Sequence, residues 1–200
     1  VGWVADLVGT ENPVGEMLCP SNINRISDTY NQLLSLDPTS FDACLNRLGS
    51  PPTSLPDGTI YENPCRRIAS AAIPPNTDVR RQFVEEQIYE NNYNTNYTAS
   101  WYLVRSEPIL DASGNFRPSK AACGASPLLL NSTAGPLTIM AIDAAKTPSS
   151  AIPLLGDGAP VGSLLQAVGP HPAGANTVMP FTRGPVLKTT MLPPSFAAGT

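Results

Sequence analysis

Asp78-Val-Arg-Arg-Gln-Phe-Val-Glu-Glu-Gln-Ile-Tyr-Glu-Asn-Asn-Tyr-Asn-Thr-Asn-Tyr-Thr-Ala-Ser-Trp-Tyr-Leu-Val-Arg105 changes its period halfway, and that change sets the fold class. In the first half Val79, Phe83, Val84, Gln87 and Ile88 recur at helical spacing, with Glu85 and Glu86 on the wet side and Asp78 placed to cap after Pro74-Pro75. In the second half Thr98 to Arg105 alternates, with Trp101, Leu103 and Arg105 to one side and Tyr102 and Val104 to the other, in residue types that strands favour. A helix that runs through a polar Tyr/Asn tract into a strand predicts an α+β chain, with helices packed on a small antiparallel sheet.

Upstream, Pro20 to Leu36 predicts another helix, with Ser21 or Asn22 as cap, Ile23, Ile26, Tyr30, Leu33 and Leu34 as its apolar stripe, and a stop before Asp37-Pro38. A shorter one follows Ser40, with Phe41, Cys44, Leu45 and Leu48 on one stripe and Gly49 as its terminator. Residues 50–64 read as a Pro-rich loop that reverses at Asp57-Gly58. Downstream, Asp111-Ala-Ser-Gly-Asn115 is a turn joining a hairpin, and a small helix is expected over Leu137 to Ala145. Ala151 to Leu155 reads as a short edge strand, because Pro153 cannot donate to a central ladder. The whole, 1–200, reads as a single domain. Residues 1–17 are expected to be a remnant after a missing N-terminal helix, and 160–200 an irregular Gly/Pro-rich tail.

Composition narrows the class of function. The 200 residues include 22 Pro and 15 Gly, well above the roughly 12% of an average globular chain, and only 14% are charged against about 25%. Turns and loops must therefore be extensive, while 42% hydrophobic residues suffice to drive a packed core. A net charge of −4, with only Arg66-Arg67 and Arg80-Arg81 as adjacent basic pairs, offers no electrostatic footprint for nucleic acid. No stretch approaches the roughly 18 apolar residues of a membrane span.

Cys19, Cys44, Cys65 and Cys123 are even in number and contain no C-x-x-C pair, which argues against zinc and against a thioredoxin-like redox motif. They read as disulfides of an exported protein. Three pairings are possible and loop-closure entropy does not choose among them. The preferred one joins Cys44 to Cys65 across the Pro-rich loop and Cys19 to Cys123.

Residues for catalysis are sparse. The one histidine, His171, lies in Gly-Pro-His-Pro and reads as a solvent-exposed loop residue rather than a positioned base. None of the common catalytic motifs is present. Glu85, Glu86, Glu90, Asp143 and Asp157 could converge as a carboxylate pair, but on a low-charge surface they read first as solvating groups. Asp157, between two glycines, reads as a calcium or tight-turn candidate, ahead of Asp111-Ala-Ser-Gly-Asn115, which is a turn first and a calcium site second; no other cofactor is expected. Asn96-Tyr97-Thr98 and Asn131-Ser132-Thr133 fit the N-glycan acceptor pattern. The Tyr/Asn tract with Tyr93, Tyr97, Trp101 and Tyr102 has the composition of a binding surface, its rings supplying area and its amides hydrogen bonds; the competing reading is that the rings cap the core.

Three stretches resemble a known family: Leu18-Cys-Pro-Ser-Asn22 with Asp28-Thr-Tyr-Asn-Gln-Leu-Leu34, then Tyr93 through Arg105, and Ile152-Pro-Leu-Leu-Gly-Asp-Gly-Ala159. Together they resemble the globular part of planctomycete-type pilin-like proteins with a prepilin-type cleavage and methylation signal, similar to type II secretion pseudopilins. The resemblance implies an N-terminal apolar helix as the spine of a filament, a loop-rich head with disulfides, and a late loop able to bind calcium, onto which Asp157 maps. That helix is not among residues 1–200.

The function expected is therefore that of a non-enzymatic structural subunit of a cell-surface filament or pseudopilus-like assembly, at the extracytoplasmic side, with copies of itself or other pilin-like subunits as partners. The alternative is a secreted glycan- or protein-binding module using the Tyr/Asn/Trp cluster.

Overall fold

The structure, a computed structural model, describes residues 2–12, 14, 17–40, 48–49, 51–125 and 130–182. The chain is α+β, as its change of period implied, and it divides into two compact units where the sequence suggested one domain. The first unit combines the described residues up to 98 with 157–180; the second takes 99–156 and resumes at Phe181.

In the first unit, helix α1 (Gly2–Val8) buries Val4 and Ala5, and its Trp3 indole donates to the Pro180 carbonyl at 3.1 Å. Strand β1 (Ile26–Ser27) and helix α2 (Thr29–Ser35) replace the single long helix expected from Pro20. The apolar stripe is real from Tyr30 onward, where Tyr30, Leu33 and Leu34 are buried, and α2 ends at Leu36 before Asp37-Pro38. Ile26 is buried too, but as a strand residue. The difference is tertiary: β1 pairs in parallel with strand β7 (Asn176–Val178), with Ile26 opposite Thr177 and Ser27 opposite Val178. A ladder closed across 150 residues of chain outweighs weak local helix propensity.

Strand β7 is central, because β6 (Pro160–Ser163) pairs antiparallel on its other side. The sheet order β1-β7-β6 is thus mixed, with one parallel and one antiparallel pair. The stretch expected to be an irregular tail supplies two of its three strands, and Leu164, Val168 and Val178 from that stretch are buried. The antiparallel hairpin β2 (Thr53–Ser54) and β3 (Ile60–Tyr61) turns at Asp57-Gly58 as read from the sequence. Asp57 Oδ1 accepts from Thr59 N at 2.8 Å, and Gly58 takes the positive φ of 85° that only glycine adopts without strain.

Helix α3 (Pro64–Ser70) was not anticipated, although its signals are present: Pro64 at the first helical position and Asn63 as cap, its side chain accepting from Cys65 N. Helix α4 (Asp78–Val84) packs on α2 and continues as a π-helical turn over Glu85–Tyr89. Its cap is Thr77 rather than Asp78, and the buried line is Arg80, Val84 and Ile88. Val79 is 62% exposed, so the inner line starts one residue later than its apolar spacing suggested. The second expected helix, over 41–48, lies almost wholly outside the described residues.

Strand β4 (Tyr97–Ala99) and strand β5 (Leu155–Asp157) are where the chain passes from one unit to the other. The second unit opens with a correction. Residues 101–105 form helix α5 (Trp101–Arg105), not the outer part of a strand. Ser100 caps it, Leu103 N donating to Ser100 Oγ at 3.2 Å, and the burial of Trp101 holds so short a helix in place. The turn at Asp111 forms as expected, its carboxylate accepting from Ser113 N and Asn115 N, with Leu110 bridged to Phe116. Helix α6 (Ile139–Ala144), capped by Thr138, matches the small helix expected there. Ala151 to Leu155 is not one strand: Ser149–Ala151 is a 3-10 turn, and β5 begins only at Leu155.

Candidate functional site

Two constellations in the first unit gather most of the residues singled out by the sequence. One is the Tyr/Asn tract, and its side chains turn inward. Asn94 Oδ1 accepts from Ser27 N at 3.4 Å while its Nδ2 donates to Arg25 O at 2.8 Å. Asn96, fully buried at 0% exposure, accepts from Cys19 N at 2.8 Å and donates to the carbonyls of Cys19 and Asn24. Thr95 donates to Met17 O, and Thr98 to Met179 O. These polar groups satisfy the backbone of an irregular segment, 17–27, that has no sheet or helix partner along most of its length.

The expected ring platform is accordingly dismantled. Tyr93 is buried in the hydrophobic core, where burial pushes its phenol above the ordinary range. Trp101 is 2% exposed, Tyr97 is half-buried, and only Tyr102 faces outward, at 46%. Trp101 and Tyr102 meet edge to face at 5.4 Å, within the second unit. The core-capping reading of Tyr93 and Trp101 is the one the structure adopts, because a ring buries far more area inward than it could present outward. Both glycan acceptor asparagines are buried and hydrogen-bonded, Asn131 by Ser119 and Lys120, so a glycan on either amide is incompatible with this packing.

The second constellation surrounds the π-helical turn, a rare local form that is often found at functional sites. Tyr89 lies edge to face with Tyr30 at 5.9 Å and with His171 at 5.7 Å, and its hydroxyl is 3.1 Å from His171 Nε2. His171 is therefore a partly buried, hydrogen-bonded residue, not the solvent-exposed one expected. Burial holds its imidazole below the ordinary histidine range and raises the Tyr89 and Tyr30 phenols. The turn that carries it closes by reciprocal backbone bonds between Val168 and His171, 3.0 Å each. Gly169 N donates to Glu85 Oε1 at 3.0 Å. Gly169 has a positive φ of 55°, and a Cβ there would sit 2.5 Å from Tyr89 Cε1. No motif search could find this grouping, because the π-helical turn and the turn that carries His171 are about 80 residues apart and only the single His hinted at it.

Of the cysteines, Cys19 and Cys65 carry free thiols, so neither expected bridge, Cys44–Cys65 or Cys19–Cys123, is closed. Cys19 is held locally instead, its backbone N donating to Asn96 Oδ1 and its sulfur 3.1 Å from Ser21 Oγ. Cys123 is buried and does not carry a free thiol. Cys44 lies outside the described residues.

Asp157 is exposed, and among the described residues no three acidic, His or Cys side chains gather as a metal site. The glycine after it has a packing role instead. A Cβ at Gly158 would sit 2.7 Å from both Asn96 O and Val178 Cβ, and Gly158 N donates to Asn96 O at 3.0 Å. Of the other expected carboxylates, Glu85 is held by Arg81 at 3.4 Å as well as by Gly169 N, and Glu86 by Gln82 at 2.7 Å. A small cavity between Val4, Ser27, Tyr30 and Tyr93 holds about 10 Å³, the room of one water.

No family model, no curated protein and no solved structure matches the chain.

Proposed function

We propose that this protein is a non-enzymatic structural subunit of a cell-surface, extracytoplasmic assembly of the pilin-like kind its sequence resembles, and that it works by packing against copies of itself. The observation that carries this reading is helix α6. It is capped and regular, yet none of its residues is buried, and Ile139 and Met140 are 77% and 82% exposed. Six residues are too few for a helix to be stable through its own hydrogen bonds. Neighbouring apolar side chains left in water on such a helix mark a surface meant to be covered. Covering each would contribute roughly 1.5–3 kcal/mol. The inward commitment of the Asn and Thr side chains and of His171 points the same way, since their hydrogen-bonding capacity is used to hold the fold.

Sedimentation velocity over a wide concentration range tests the reading. Self-association that rises with concentration and is lost in an Ile139→Asp, Met140→Asp double variant is expected. A chain that stays monomeric throughout, or one whose association ignores the double substitution, would overturn it. Fractionation of the source cells tests location, with recovery in the cytosol counting against export.

A further inference from the structure

We infer that the turn Val168–His171 is a pH-sensitive clasp, held shut on the π-helical turn by Tyr89 and Glu85 at neutral pH and loosened when His171 takes up a proton. Both gripping side chains come from Glu85–Tyr89, one bonding the backbone of the clasped turn at Gly169 and the other its imidazole. With the imidazole neutral and Nε2 bare, the Tyr89 hydroxyl donates to it. Protonation makes both ring nitrogens donors, so the phenol must rotate to accept, and a cation must be housed in a partly buried position. Because the Tyr89 ring packs so close to Gly169 that it leaves no room for a Cβ there, it has little space to shift toward the turn to compensate.

The groups facing His171 leave it as the one switch in this window. Tyr89 and Tyr30 are phenols raised by burial and stay neutral. Glu85 is paired with Arg81, which also reaches Asp78 at 3.7 Å. Asp28, at the β7 end, is occupied by Asn31 and Thr177. Between Leu164 and Ala175 no other ionisable side chain occurs, and His171 is the chain's single histidine. Histidine is the side chain whose ordinary titration falls between about pH 5 and 8. The clasped turn belongs to the connection between β6 and β7 and carries the core residue Val168, so protonation loosens that connection first.

Amide hydrogen exchange on the full chain reads the clasp directly, because the amides of Val168, Gly169 and His171 are all hydrogen-bonded in the shut form. After correction for the intrinsic pH dependence of exchange, peptides covering 164–175 should lose protection several-fold between pH 7.5 and 5.5, while α2 peptides stay unchanged. His171→Gln should abolish that pH dependence. Tyr89→Phe, which keeps the ring and removes the hydroxyl, should leave the turn looser already at pH 7.5 and shrink the response. Glu85→Gln should alter the baseline but not the response. Equal protection at both pH values in the wild-type chain, or an undiminished loss in His171→Gln, would overturn the clasp. The imidazole C–H resonances give a second readout: a midpoint at or above the unfolded chain's value would equally exclude it.

Discussion

The carboxamide of Asn94 stands beside Ser27 where a neighbouring strand would be. Its oxygen accepts from Ser27 N and its nitrogen donates to Arg25 O, the two groups that a peptide unit of an adjacent strand would pair with. Asn31 does the same at the opposite edge, donating to Ser163 O and accepting from Leu165 N, both at 2.9 Å. The three-stranded sheet is thus closed at β1 and just beyond β6 by single side chains. Unpaired edges template aggregation, and short strands capped in this way remove the template without adding chain.

Asn94→Asp tests the substitution of side chain for strand. It keeps the acceptor for Ser27 N but turns an acceptor, and a charge, toward Arg25 O in a buried position. Urea unfolding should show a loss of about 2–3 kcal/mol, the cost of burying unsatisfied polar groups. Asn31→Ala, which removes bonds to Ser163 and Leu165 that are exposed to water and sets no second carboxylate beside Asp28, should lose less. Equal losses at the two sites would mean that burial is not what gives Asn94 its weight.

Among the described residues, Arg80 is the one cation driven fully into the first unit, and burial pulls its guanidinium below the ordinary range. It donates to the carbonyls of Leu33, Leu36 and Ile73, tying the end of α2 and the loop before α4 to α4 itself. Arg80→Met fills the volume but orphans those acceptors, at roughly 1–3 kcal/mol for each that water cannot reach. A lowered urea midpoint with unchanged m-value is expected, and Arg80→Lys should recover only part of it because an ammonium cannot span three carbonyls in one plane.

The histidine gives the chain a pH profile of defined sign. Its folded pKa lies below the unfolded value of about 6.5, so the unfolded chain binds the proton more readily. Stability is full above pH 6.5 and falls as the pH drops from there through the depressed folded value. Thermal unfolding should therefore show a lower midpoint at pH 5.5 than at 7.5, and His171→Gln should flatten that segment. Asp57 and Asp111, lowered by hydrogen bonds from their own turns, act only further into acid.

The thiols give the simplest check. In the native, unreduced protein, Cys19 and Cys65 should react with a thiol reagent and Cys123 should not, with mass spectrometry identifying the labelled peptides. Cys19→Ser should shift stability by less than about 1 kcal/mol, and Cys65→Ser, whose side chain packs against the core, by somewhat more. Unreactive Cys19 and Cys65 that become labelled only after reduction would restore the disulfide reading.

Local chemistry was legible wherever a few adjacent residues decide the outcome. The turns at Asp57-Gly58 and Asp111, the α6 helix and the helical stripe after Pro75 all follow from caps, glycines and 3.6-residue spacing. Misreadings came where a distant partner or a single cap overruled propensity: Ile26 was recruited into β1 by β7, and Ser100 started a helix in Trp-Tyr-Leu-Val, residues that favour strands. The sites followed the same division. Sequence could name Asn94, Asn96, Tyr93, Trp101 and His171 as unusual, because amides, rings and a lone imidazole are scarce in a low-charge chain.

By itself the sequence determined the α+β class, the turns at Asp57-Gly58 and Asp111, and the starts of α4 and α6, since these depend on contacts a few residues long. Only the tertiary structure decided which way the Tyr/Asn tract faces, which thiols stay free, and that Tyr89 meets His171. Those outcomes depend on pairs tens of residues apart, and periodicity carries no information about which distant backbone group an amide or a ring will find.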